Sequence, residues 1–226
     1  MIAGVVLGAV AGLDRTAFGQ TLLAHPFVAA NVSGWIAGSP DTGLRAGVLF
    51  WMLSAGRVPV GETRIRDWTT AAVVLPWCVP DTAPDAARGL VFLSTLVVAL
   101  VGGAAIRGIR DVARRSIEGW RSRPVIGRGD PAALHLGLTS LHALRGAMLT
   151  ALAIVIGRGL VALDLTTPGT FLGEIMGVTW ALAPWALLPL LWRAHGDLGR
   201  SRAPWGWMVG GAVSALVLGL VLRGGA

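Results

Sequence analysis

Gly89-Leu90-Val91-Phe92-Leu93-Ser94-Thr95-Leu96-Val97-Val98-Ala99-Leu100-Val101-Gly102-Gly103-Ala104-Ala105-Ile106 runs for 18 residues without a formal charge between Arg88 and Arg107. A helical crossing of a bilayer takes about 20 predominantly apolar residues, and an ionised side chain facing lipid there is expensive. The stretch therefore reads as a crossing. The residues after it set its direction: seven arginines fall between Arg107 and Arg128, against only Asp111 and Glu118. The excess of positive charge places this loop in the cytoplasm.

Three more windows are long enough to cross: 25 residues between Arg15 and Asp41, 18 between Glu174 and Arg193, and 20 between Arg202 and Arg223. Shorter windows suit half-spans, re-entrant hairpins or helices shielded by protein: 13 residues before Asp14, 11 between Arg45 and Arg57, 13 between Asp67 and Asp81, and 14 between Asp130 and Arg145. Composition agrees, with 54% hydrophobic and 14% charged residues among 226 and a mean hydropathy of +0.68. The expected fold class is all-α: a polytopic transmembrane helical bundle with broken or re-entrant helices, in a bacterial inner membrane. Gly4, Gly8 and Gly12 repeat every fourth residue, as do Gly34 and Gly38, which lets helices pack closely in lipid. Pro26, Pro76, Pro184 and Pro189 interrupt the apolar windows and would kink or break helices. Trp180, Trp185, Trp192, Trp205 and Trp207 read as interfacial anchors. The start, Met1 into Ile2-Ala3-Gly4-Val5-Val6, reads as a retained membrane segment.

The strongly charged stretch divides the chain into an N-terminal membrane half (1–106), a cytoplasmic amphipathic basic segment (107–130) and a C-terminal membrane half (131–226). Ile106, Ile109, Ala113, Ile117 and Trp120 recur at helical spacing, with arginines on the other faces, as in a helix lying in the headgroup layer of anionic lipid. A solvated helix or a docking face for a soluble partner fits the same pattern. Positional bias in the loops accounts for the net charge of +7 without nucleic acid, which would need a basic stripe with groove-reading or aromatic residues. Arg193, Arg200 and Arg202 mark a second cytoplasmic loop, while the turns 80–88 and 163–169 read as external.

Two regions are candidates for chemistry. Arg57 to Asp67 lies between two segments each too short to span, and backbone broken at membrane depth is tolerated only in protein or beside water. Gly61, Glu62 and Asp67 are its candidate solute-binding residues, by analogy with discontinuous-helix transporters. An ordinary cytoplasmic loop carrying Arg64 and Arg66 is the plainer alternative. From Ala132 onward, His135, Thr139, His142 and Arg145 share one helical face. An intramembrane polar stripe normally faces a cavity or a partner, and imidazole and guanidinium can pair with sugar hydroxyls. No phosphate loop, His-Glu-x-x-His pair or Gly-x-Ser-x-Gly elbow is present, so no catalytic residue is assigned. Cys78 is the only cysteine, which excludes an internal disulfide. His135 and His142 find no carboxylate spaced to complete a metal site, so no metal or cofactor is expected.

Specific wording in the N-terminal half narrows the reading: Asp14-Arg15-Thr16-Ala17-Phe18-Gly19-Gln20-Thr21, His25-Pro26-Phe27-Val28-Ala29-Ala30, Gly34-Trp35-Ile36-Ala37-Gly38, Asp41-Thr42-Gly43-Leu44-Arg45-Ala46-Gly47-Val48-Leu49-Phe50, Pro59-Val60-Gly61 and Asp67, then His135-Leu136-Gly137-Leu138 and Leu144-Arg145-Gly146. These resemble the IIC subunit of the mannose/fructose/sorbose family of the sugar phosphotransferase system, over most of residues 1 to 165. The resemblance implies a permease subunit with inverted repeats and broken helices. It would bind and translocate a hexose-like sugar beside a IID-like membrane subunit. Phosphoryl transfer would fall to soluble IIA and IIB subunits, so that this chain is not itself an enzyme; homo-oligomerisation is left open. The chain departs from the family where Trp51 stands in place of a glutamate, and where Glu62, Arg64, Ile65 and Arg66 replace small residues and prolines before Asp67. A non-transporting membrane scaffold or regulator derived from such a permease is the alternative.

Overall fold

The computed structural model describes residues 1–14, 22–55, 66–123, 129–163 and 171–195. Among them all regular structure is helical: α1 (Ile2–Asp14), a 3-10 turn (Leu22–Ala24), α2 (Pro26–Ala37), α3 (Pro40–Ala55), α4 (Trp68–Cys78), α5 (Asp85–Arg121), α6 (Pro131–Ala162) and α7 (Phe171–His195).

The 25-residue window between Arg15 and Asp41 is not one crossing. Pro26, which has no N–H to donate, opens α2 at its first position, and α2 runs for only 12 residues. Gly38 then ends the helix with φ 76°, a left-handed conformation open to a residue without Cβ. The N–H groups of Gly38 and Ser39 return to the carbonyls of Trp35 and Gly34 at 3.3 and 2.8 Å. The chain doubles back into α3 so closely that a Cβ on Gly34 would stand 2.7 Å from the Gly43 Cα.

α4 is short and central, with ten of its 11 residues buried. Hydroxyls of neighbouring residues bind its carbonyls around the Pro76 interruption, Ser33 to Val73 at 2.6 Å and Ser39 to Pro76 at 2.8 Å. An aromatic chain joins α3, α4, α5 and α7: Phe50 to Trp68, Phe50 to Phe92, and Phe92 to Trp180, with ring centroids 5.7 to 6.2 Å apart. Trp180 is thus a core residue rather than an interfacial anchor, fully buried beside Ala183 and under the Arg45 guanidinium. Trp185 is exposed, and the side chains of Trp192, Trp205 and Trp207 lie outside the described residues.

α5 and α6, of 37 and 32 residues, are long and apolar enough to cross a membrane. At 1.5 Å per residue they measure about 55 and about 48 Å, well beyond the roughly 30 Å of a hydrocarbon core. Residues 107–121 are not a separate helix: they continue α5 without a break. Within them the less exposed positions are Ile109, Ala113, Ser116 and Trp120, whereas Ile117, expected in the stripe, is exposed. α6 likewise runs unbroken through Arg145, where charge counting ended a 14-residue window. The reason is that Asp67 neutralises Arg145 inside the protein, so the charge no longer marks an end.

α1 lies along α6 on small residues. Gly8 and Gly146 meet backbone to backbone, a Cβ on Gly12 would stand 2.6 Å from the His142 carbonyl oxygen, and one on Gly4 would stand 2.7 Å from the Trp77 ring. Arg158 near the end of α6 donates to the Trp77 carbonyl at 2.9 Å, and Asp81 accepts from the N–H groups of Asp41 and Thr42 at 3.1 and 2.8 Å. One end of the bundle therefore gathers the starts of α1, α3 and α5 with the ends of α4 and α6. The opposite end is formed by the tips of α5 and α6, where the Trp120 indole donates to the Gly129 carbonyl at 2.8 Å. α4 starts between these ends, since the Asp67 N–H donates at 2.8 Å to Ala99, near the midpoint of α5.

Candidate functional site

Asp67 is the N-cap of α4. Its carboxylate accepts from the Thr70 N–H at 3.2 Å and from the Thr70 hydroxyl at 2.7 Å, satisfying one of the donors that every helix start leaves open. Arg145 reaches the same carboxylate from α6. The two side chains are 1% and 5% exposed. Gly102 on α5 provides the room, because a Cβ there would stand 2.7 Å from the Asp67 Cβ. Gly12 on α1 lies beside the Arg145 guanidinium, where a Cβ would make ordinary contact at 3.5 Å. Four helices thus converge on one ion pair, halfway along the bundle.

Desolvating two charges costs several kcal/mol each, and their attraction offsets this only when the geometry is good and the remaining hydrogen bonds are filled. Asp67 has such partners in Thr70 and the positive end of α4. Arg145 is less complete: its Nε is buried and has no hydrogen-bond partner among the described residues. A buried guanidinium with an open N–H is a place for a hydroxyl or a water molecule.

Of the residues singled out in the sequence, the structure brings Asp67, His142 and Arg145 into one buried region. Thr139 is half-buried, and His135 is exposed on the first turns of α6. Gly61 and Glu62 lie outside the described residues, as do Arg64 and Arg15 to Thr21. Arg66 stacks over the Trp68 ring at 5.7 Å, and Arg145 pairs with Asp67. Trp51, where the resembled family has glutamate, is half-buried on α3. Sequence reasoning missed Thr70 and Gly102, and read Gly12 only as a packing glycine. Thr70 had a signal: Asp67 three residues ahead of it, at the edge of an apolar run, is a helix-start pattern.

A second polar cluster is structural. Burial of the Asp81 carboxylate works against its charge, but hydrogen bonds from Thr42 and Asp41 and the nearby Arg88 outweigh it and hold the carboxyl below its ordinary value. Asp81 thereby caps the start of α3, while Arg88 binds Asp85 at 2.9 Å and the Asp81 carbonyl.

Comparison of the chain with protein-family models, curated proteins and solved structures finds no match. Among the described residues no three His, Cys, Asp or Glu side chains gather as a metal centre requires.

Proposed function

We propose that the chain is a multi-pass membrane subunit of a bacterial inner membrane that binds a hexose-like sugar beside the Asp67–Arg145 pair and passes it inward, in the manner of a IIC subunit of a sugar phosphotransferase system. The observation that carries this reading is a buried ion pair at the start of a half-length helix, midway along two helices long enough to cross a bilayer. Placing helix starts and charged groups at mid-depth is how discontinuous-helix transporters hold polar solutes. The open Arg145 Nε is a donor for a sugar hydroxyl, and the Asp67 carboxylate is an acceptor when the pair loosens. On this reading the tips of α5 and α6 are cytoplasmic, a IID-like subunit is the membrane partner, and soluble IIA and IIB subunits phosphorylate the sugar.

The test is uptake of labelled hexose by cells that express the chain together with IID-, IIA- and IIB-like partners. Uptake that falls strongly in Asp67→Asn and little in Arg66→Ala supports the reading. No uptake of any hexose or hexosamine by the wild type removes it.

A second reading rests on the same pair. Asp67 and Arg145 neutralise each other, and Gly102 packs closely against Asp67, as in a clasp that only holds α4 to α6. A non-transporting scaffold would keep that clasp and would co-purify with a IID-like partner while moving no sugar.

A further inference from the structure

The tips of α5 and α6 enclose a half-open cleft of about 450 Å³, lined by Arg115, Ser116, Gly119, Trp120, Arg123 and Leu134. That volume falls within the range of small-molecule sites. We infer that this cleft binds a small, soluble phosphate-bearing solute.

Its chemistry is specific. Two guanidinium groups line it, and a guanidinium matches phosphate oxygens in paired hydrogen bonds better than any other side chain. Arg115 makes one long hydrogen bond among the described residues, from Nε to the Asp111 carbonyl at 3.4 Å, which leaves the terminal nitrogens for a ligand. The Ser116 hydroxyl adds a smaller polar group to the same wall. Gly119 leaves open space, with nothing within 4 Å of where its Cβ would be. The Trp120 indole is held by the Gly129 carbonyl at 2.8 Å, so its ring stands as a fixed wall against which the body of the ligand can pack, with Leu134 also lining the cleft. The surrounding charge favours anions: Arg107, Arg110, Arg114 and Arg121 lie on the same stretch of α5, against Asp111 and Glu118.

Phospholipid headgroups offer the same phosphate chemistry, and position decides between the two sources. The apolar run of α5 ends at Ile106, and Arg115 and Trp120 stand about 13 and about 21 Å further along the axis. A headgroup layer is only about 5 to 8 Å deep on each side, so the cleft stands in water beyond it. This choice of a soluble ligand rests on the proposed membrane placement of α5 and α6.

The experiment uses the full chain in nanodiscs of neutral lipid, with binding of inorganic phosphate and of glucose 6-phosphate measured by calorimetry. Insertion is checked separately by size exclusion, so failure of the membrane reading is visible on its own. Both probes should bind, and Arg115→Gln with Arg123→Gln should weaken them at least about tenfold, the loss expected for charge-assisted hydrogen bonds. Arg107→Gln with Arg110→Gln, which removes equal charge outside the cleft, should change binding little. Equal loss in the two double variants would reduce the effect to bulk charge and overturn the site. No binding in neutral nanodiscs overturns it as well, as does an interaction through Arg115 and Arg123 seen only with vesicles containing phosphatidylglycerol.

Discussion

Arg145 of α6 donates to the carboxylate of Asp67, the N-cap of α4, across 78 residues of sequence. Removing one partner from a buried pair leaves an uncompensated charge and costs about 3 to 5 kcal/mol, whereas replacing both with apolar groups is often neutral. Arg145→Leu alone is therefore expected to lower thermal stability in detergent markedly, and Arg145→Leu with Asp67→Asn to recover much of it. A double-mutant cycle by fluorescence-detected size exclusion measures the coupling; additive losses would mean that the two charges act independently.

The α1–α6 contact depends on glycine at particular points. Gly146→Leu drives a side chain into the Gly8 backbone, which no rotamer relieves, so the chain should fail to fold as a monodisperse species. Gly108→Ala meets nothing within 4 Å and should stabilise α5 by about 0.5 to 1 kcal/mol, through helix propensity alone. Melting curves of the two variants separate close packing from a general intolerance of side chains.

Asp81 makes the start of α3 sensitive to acid. Its carboxyl sits below the ordinary 3.8 in the folded chain, so its stabilisation is complete above that value and is lost as pH falls through the folded pKa. Wild type should lose melting temperature on acidification below 3.8 more steeply than Asp81→Asn, which is less stable at neutral pH but lacks this titration. Parallel curves would show that Asp81 does not stabilise the turn.

Much of the helix pattern was legible in the charges, and the misreadings have separate causes: Pro26 and Gly38 divide a window that carries no charge, and a charge can be met by protein. The window between Arg88 and Arg107 became the apolar part of α5, and the short window after Asp67 became the short helix α4. Charge counting assumes that every charge meets water. Arg145 meets Asp67 instead, so the charge-free window ended at a residue that sits in the interior of α6. Trp180 went astray likewise, because hydropathy gives its position along the chain but not the Phe92 ring it packs against. The pairing of Asp67 with Arg145 depends on how four helices cross, and no local spacing encodes it. Gly102 was visible only as one more small residue in an apolar run.

The orientation has a chemical test. Ser122, exposed at the end of α5, should sit in the cytoplasm with the arginines around it. In a Cys78→Ala background, a cysteine introduced by Ser122→Cys should resist impermeant maleimide in intact cells and react once the membrane is opened. One introduced by Thr82→Cys, in the exposed turn at the opposite end, should react in intact cells. The reversed pattern would invert the proposed orientation.

The most direct measurement is hexose binding to the purified chain, assembled with its partner subunits, in wild type and in the charge-free pair Asp67→Asn with Arg145→Gln. Both proteins must elute as folded species, which the double replacement is chosen to allow. The wild type is expected to bind a hexose or hexosamine, and the folded double variant to bind it at least about tenfold more weakly, from lost charge-assisted hydrogen bonds. Equal affinity in the two proteins, or no binding by the wild type, would contradict a sugar site at Asp67 and Arg145.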